Sequence, residues 1–238
     1  MNKIVKILCA ACTLAIANIG LAQADSSNFA GPYVGVSISG YGMQLDGTGR
    51  TSPTGAASTY EVDEVSIGQV APIQGFEAGY AFPIGSVFLL DIGAAYHSGT
   101  AKLDFTNDDK VAGTCSGCAA GTTGQKQVSF SVDDLISFSI APTIVLSDTS
   151  SVYIKLGLSE ADVKVTGDIT APPNLSGTTW ALGTRTVLDS GIFVRTEAGY
   201  TDYNGISSHG KGNNIDTANS YSAEPTVAFG AVSLGFRF

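Results

Sequence analysis

Residues 87–97 read VFLLDIGAAYH. In an extended chain successive side chains point to opposite faces. Phe88, Leu90, Ile92, Ala94 and Tyr96 therefore share one face, and Leu89, Asp91, Gly93, Ala95 and His97 share the other. The first face is unbroken apolar surface. The second mixes small residues with a carboxylate, which suits a narrow interior. From Phe88 to Tyr96 an extended chain climbs about 26 Å. Tilted by about 40°, it rises about 20 Å, close to the apolar band of an outer membrane.

The same two-residue period runs through seven other segments: 34–40, 73–82, 136–146, 152–158, 178–188, 191–200 and 228–238. The connections between the eight alternate in length. Three are tight, with Pro83, Gly85, Asp148, Asp189 and Gly191 as turn formers. Four are long and polar, at about 41–72, 98–126, 159–177 and 201–226. Such alternation is what an up-and-down barrel gives when one rim faces the periplasm and the other the outside. Residues 61–70 or 163–169 could extend strands or add two more. The expected fold is all-β, an eight-stranded antiparallel up-and-down transmembrane β-barrel, with both termini on the short-turn side.

The polarity of the faces separates a barrel in lipid from a soluble one. Glu77, Asp91, Lys155, Arg185, Arg195, Glu197 and Arg237 all fall on the glycine-rich faces, and the opposite faces are almost free of charge, Asp134 excepted. Apolar outside and charged inside is the order that hydrocarbon demands. Phe82, Phe88, Phe236 and Phe238 are placed to form a periplasmic aromatic girdle, and Tyr96, Trp180 and Tyr200 the outer one.

The amino terminus reads as an export signal. Lys3 and Lys6 precede an apolar run at 7–17, and a small-residue stretch ends in Ala22-Gln23-Ala24. The run is too short for the ~20 residues of a membrane-spanning helix. Cleavage is expected between Ala24 and Asp25, dividing the chain into a signal peptide at 1–24 and a barrel domain at 25–238 with four long extracellular loops. Removing the signal takes two lysines and no acid, so the formal charge falls from −9 to −11. An acidic chain with 12 Lys and Arg in all does not fit a nucleic-acid binder.

Two stretches resemble a known family. Residues 29–35, FAGPYVG, resemble the opening of porin-family outer membrane β-barrel proteins, and residues 231–238, AVSLGFRF, resemble the family's final strand. The resemblance implies an OmpA/OmpX-type barrel in the outer membrane of a Gram-negative bacterium, in contact with its lipid and lipopolysaccharide. It also implies that Phe236 and Phe238 carry the signal read by the barrel-assembly machinery.

The chemistry-bearing motifs are few. Cys115 and Cys118 form a CxxC in the second long loop. Of the redox, zinc and structural readings, a local disulfide fits an oxidising compartment and the absence of a strand–helix start. Residues 205–211, GISSHGK, approach a phosphate-binding loop but are followed by Gly212 rather than Ser or Thr. His97 with Ser98, and Ser207 and Ser208 with His209, lack an acid at triad spacing. No cofactor, metal site or catalytic residue is therefore expected. The seven inward charges are expected to pair as a buried lumen network. The expected role is structural, or the presentation of loops to a surface ligand. A narrow, low-conductance pore is the alternative, and a lipid A-modifying enzyme the third reading.

Overall fold

The computed structural model describes residues 25–51, 61–107, 126–166, 170, 172–188, 191–209 and 220–238. After a 3-10 turn at Ser26–Asn28 come β1 (Gly31–Thr51), β2 (Glu61–Pro83), β3 (Phe88–Ser98), β4 (Ala101–Asn107), β5 (Lys126–Ser147), β6 (Ser150–Thr166), β7 (Leu175–Val187), β8 (Ile192–Tyr203), β9 (Ile206–His209) and β10 (Ser220–Arg237). The order β1-β2-β3-β5-β6-β7-β8-β10 is antiparallel throughout and closes by pairing β10 with β1. The barrel thus has eight staves, as the alternation predicts.

The two extra strands are continuations of staves rather than additional ones. β3 pairs with β5 from Phe88↔Ile144 to His97↔Leu135, and β4 resumes on the same strand from Ala101↔Val132 to Asn107↔Lys126. The interruption at Gly99 and Thr100 stands opposite a bulge in β5 between Asp133 and Ile136. There Asp134 has a φ of +50°, a left-handed conformation that Asp tolerates better than most side chains. β8 and β9 are likewise successive partners of β10, broken at Asn204 and Gly205.

Several strands run far beyond the segments read from the sequence. β1 and β2 stay paired up to Thr51↔Glu61, and β5 and β6 up to Ser129↔Thr166. Much of the chain read as polar loop is therefore strand standing above the membrane. Above Gln74↔Ser98, β2 keeps β1 as its only ladder partner among the described residues. The upper barrel there separates into two sheets, β2-β1-β10-β9 and β4-β5-β6.

Side-chain polarity inverts at the same height. Lower down, Ile38, Phe76, Phe138, Leu158, Trp180 and Leu234 point outward, each more than half exposed. Exposed apolar surface on this scale fits only a hydrocarbon surround. Higher up, Met43, Leu45, Ile73, Leu175, Tyr203 and Val227 point inward and pack as one buried cluster. Gln44, Asp46, Glu160 and Asp162 take the outward positions there. The lower barrel is built for lipid and the upper part packs like a soluble sandwich.

The lumen is too narrow for side chains on every stave. A Cβ at Gly183 would run into the Tyr153 ring, and one at Gly235 into the Phe193 ring. These glycines let large inward side chains lie flat against the neighbouring staves.

Candidate functional site

The lumen below the apolar cluster gathers most of the buried charge. Arg185 on β7 and Arg195 on β8 are direct cross-strand partners. Two like charges at that spacing repel, and these two are only 3% and 4% exposed. Their counter-charges come from the opposite wall. Arg185 Nη2 donates to Asp91 Oδ2. Arg195 donates through Nη1 to Glu77 Oε2 at 3.2 Å and through Nη2 to Asp91 Oδ2 at 3.4 Å. Glu77 lies on β2 and Asp91 on β3, so each bridge spans the barrel. The Tyr33 hydroxyl completes the Asp91 carboxylate by donating to Oδ1 at 2.5 Å.

Aromatic rings hold the two guanidinium planes. The Tyr33 ring centre lies 5.0 Å from Arg185 Cζ and 4.9 Å from Arg195 Cζ. Phe193 packs edge-on against Tyr33 at 5.8 Å and lies 5.2 Å from Arg185 Cζ. A buried pair gains from such contacts because they replace part of the hydration that the ions give up.

A second cluster sits beside the first. Lys155 on β6 is paired with Glu197 on β8. The Tyr153 hydroxyl donates to Glu197 Oε2 at 2.9 Å, and the Tyr153 ring centre is 5.3 Å from Arg195 Cζ. Six of the seven inward charges singled out in the sequence are thus gathered, three cations against three anions. Arg237 stands apart. It lies at the periplasmic mouth, where Nη1 donates to the carbonyls of Ser27 at 2.9 Å and Ala30 at 3.1 Å. Its place near the end of the last strand puts it below the level of the acids, out of reach of a network formed higher up.

The ends of the lumen are apolar. At the bottom, Phe29 folds in against Ala81, Leu89 and Val145. The segment carrying it is tied to the β2–β3 turn by Ser26 N–H on the Ser86 carbonyl at 2.8 Å and the Ser26 hydroxyl on the Gly85 carbonyl at 2.6 Å. Asp25 caps the turn by accepting from Ser27 N–H at 2.9 Å, a bond that lowers its pKa. Phe236 and Phe238 stack edge to face at 5.2 Å, and Phe238 N–H donates to the Pro32 carbonyl at 3.0 Å. At the top, Met43, Leu45 and their neighbours pack as an inward apolar cluster.

On the outer rim Asp133 pairs with Lys164 at 3.0 Å. A hydrogen bond from Thr100 holds the Asp133 carboxyl below its ordinary pKa, helped by Lys164. Asp134 accepts from the Tyr96 hydroxyl at 2.5 Å. Ala24, Cys115 and Cys118 lie outside the described residues, as does the side chain of His209. Tyr33, Tyr153 and the upper apolar cluster carry no formal charge and stand outside the set of inward charges that the sequence singles out. The cluster nevertheless has a signal in the sequence. In β1 the outward apolar residues are the even-numbered Val34, Val36 and Ile38, and the apolar set then moves to the odd-numbered Tyr41, Met43 and Leu45.

The sequence profile described as outer membrane protein beta-barrel domain matches residues 9–229. No curated protein matches the chain in sequence. Among solved structures, OprG from Pseudomonas aeruginosa is similar at 11% identity, covering 88% of this chain and 97% of its own, with a TM-score of 0.44. The outer membrane protease OmpT from Escherichia coli is similar at 10% identity, covering 87% and 97%, with a TM-score of 0.49. The attachment invasion locus protein Ail of Yersinia pestis, solved with the heparin analogue sucrose octasulfate, is similar at 12% identity, covering 87% and 99%, with a TM-score of 0.41.

Glu77→Ala leaves Arg195 with Asp91 alone, which Arg185 already occupies. The expected loss is about 3 kcal/mol, because a buried cation is left under-compensated. Urea unfolding of the barrel in lipid, followed by Trp180 fluorescence, measures it, and a change under about 0.5 kcal/mol contradicts the assignment.

Proposed function

Because the chain belongs to the family of outer membrane protein β-barrel domains, we propose that it is a closed, non-enzymatic barrel, a structural element of the outer membrane that presents its upper strands and loops to a ligand at the cell surface. The observation that carries this reading is the occupied lumen. An eight-stranded barrel is just wide enough for side chains to fill. Here an apolar plug at each end encloses paired charges that reach across the interior. Water has no continuous polar route through such a stack.

The same packing argues against the lipid-modifying reading. His97 lines the interior with Glu77, Lys155 and Glu197, beneath the apolar cluster, rather than facing the lipid where an acyl chain lies. The outward face at that level is Tyr96 hydrogen-bonded to Asp134. A general base must reach the group it deprotonates.

The ends of the chain fit export and assembly. Cleavage after Ala24 gives Asp25 a free α-amino group, at a nitrogen already 3.3 Å from Asp148 Oδ1 in the β5–β6 turn. Phe238 fits the role of an assembly signal because it follows directly on the strand that closes the barrel and its N–H donates to the Pro32 carbonyl of β1.

In planar bilayers the refolded protein is expected to show no steady open level. Selective, long-lived channels in the wild type overturn the reading and favour a narrow pore. Removal of Phe238 is expected to lower the amount of heat-modifiable barrel in the outer membrane severalfold, as read on unboiled gels of membrane fractions. Unchanged levels contradict its role in assembly. Intact mass of the purified protein is expected to begin at Asp25, and a different first residue removes the proposed cleavage site.

A further inference from the structure

Residues 25–30 run along the periplasmic mouth before β1 begins. Gly31 makes the corner into β1 with a φ of +113°, a conformation that favours glycine. A Cβ there would also crowd the Phe238 carbonyl at 3.1 Å. The segment is seated from three sides. Phe29, only 1% exposed, packs against Ala81, Leu89 and Val145. Ser26 bonds the β2–β3 turn through its N–H and its hydroxyl. Arg237 Nη1 holds the carbonyls of Ser27 and Ala30.

A fourth contact differs in kind. The Asp25 nitrogen lies 3.3 Å from Asp148 Oδ1. Asp148 stands exposed in the tight turn between β5 and β6. The Ser147 hydroxyl fixes that turn by accepting from the N–H groups of Thr149 at 3.4 Å and Ser150 at 3.1 Å. Val145 N–H on the Val87 carbonyl and Val187 N–H on the Thr149 carbonyl, both at 2.8 Å, tie the turn to its neighbours on either side. The Asp148 carboxylate is thus held in place, and among the described residues no Lys or Arg pairs with it. A single amide N–H at that distance is a weak donor for a carboxylate.

We propose that Asp148 is the docking site of the α-ammonium group that signal-peptide removal creates, and that this ion pair fastens residues 25–30 across the periplasmic mouth of the processed chain. The proposal rests on cleavage after Ala24. Hydrolysis of the Ala24–Asp25 peptide bond consumes one water. Its oxygen goes to Ala24, which leaves as a carboxylate, and its two protons go to the Asp25 nitrogen, which becomes an ammonium. That nitrogen gains a unit charge and two more donors at a place already beside an acid, so the weak bond becomes a charge-assisted one. Exposed ion pairs contribute little when two mobile groups must first be ordered. Here the seated segment orders the amine and the turn orders the acid.

The test is acetylation of the α-amine by an N-hydroxysuccinimide ester near neutral pH, read by mass spectrometry on the amino-terminal proteolytic peptide of the folded barrel. The reagent attacks only an unprotonated, unpaired amine. Wild type refolded from Asp25 is expected to react about threefold more slowly than the free peptide DSSNFAGP at low salt. The difference is expected to shrink in about 1 M salt, where the screening length is about 3 Å. Asp148→Asn keeps an acceptor and loses the charge, and is expected to react at close to the peptide rate. A chain refolded from Ala24 keeps every side chain of the barrel but moves the amine one residue away, and is expected to lose the protection as well. A gel shift on boiling checks that each is folded. Equal rates for wild type and Asp148→Asn, or protection that survives high salt, overturn the proposal. Intact mass of the protein isolated from outer membranes separates the two readings. A first residue other than Asp25 removes the cleavage site and the ion pair together, whereas a chain that begins at Asp25 and reacts as fast as the peptide defeats the ion pair alone.

Discussion

The structure depends on one electrostatic constraint. Arg185 and Arg195 face each other across neighbouring strands inside the lumen, each buried from solvent. Neither guanidinium can be left unpaired there, and Glu197, the carboxylate on their own wall, is paired with Lys155. Asp91 and Glu77 supply the charge from the far side, more than 90 residues away in sequence. Bridges of this kind can form only when the sheet has closed, so they tie the register of β2 and β3 to that of β7 and β8. Breaking one such pair costs far more than the intact pair contributes, because it leaves a buried charge. The network therefore acts more through specificity of closure than through net stability.

Around this belt the chain solves two solvent problems with the same strands. In the membrane the outward positions must be apolar and the inward ones may be polar. Above it the requirement reverses. A strand cannot rotate its alternation without a bulge, so the sequence changes which parity carries the apolar residues. β1 does so between Ile38 and Tyr41, and β6 does so between Leu158 and Ala161. β5 adds a bulge at Asp133 and Asp134, where the staves part into two sheets. The upper cluster is thus the core of the protruding sandwich.

Much of this is legible in the sequence because the two-residue period is strict. The eight staves, the short turns, the lipid face and six of the seven inward charges follow from parity alone. What parity does not reveal is height along the strand and position around the barrel. Arg237 has the right parity for the lumen, yet it lies at the mouth and binds backbone carbonyls. Its level was set by where the last strand ends. The strand extensions were hidden because they are rich in Ser, Thr, Asn, Asp and Gly, residues that mark turns when strands are short. The partners Tyr33 and Tyr153 were hidden because their importance lies in the atoms their hydroxyls reach, on strands whose adjacency appears only on closure.

Asp91 and Arg185 couple the two walls of the barrel. A double-mutant cycle with Asp91→Asn and Arg185→Met, read by urea unfolding of the barrel in lipid vesicles, measures this directly. The expected coupling lies toward the upper end of about 0.5–3 kcal/mol, with the double variant less impaired than the sum of the singles. Effects that add within about 0.3–0.5 kcal/mol mean that the two walls are not coupled through this pair.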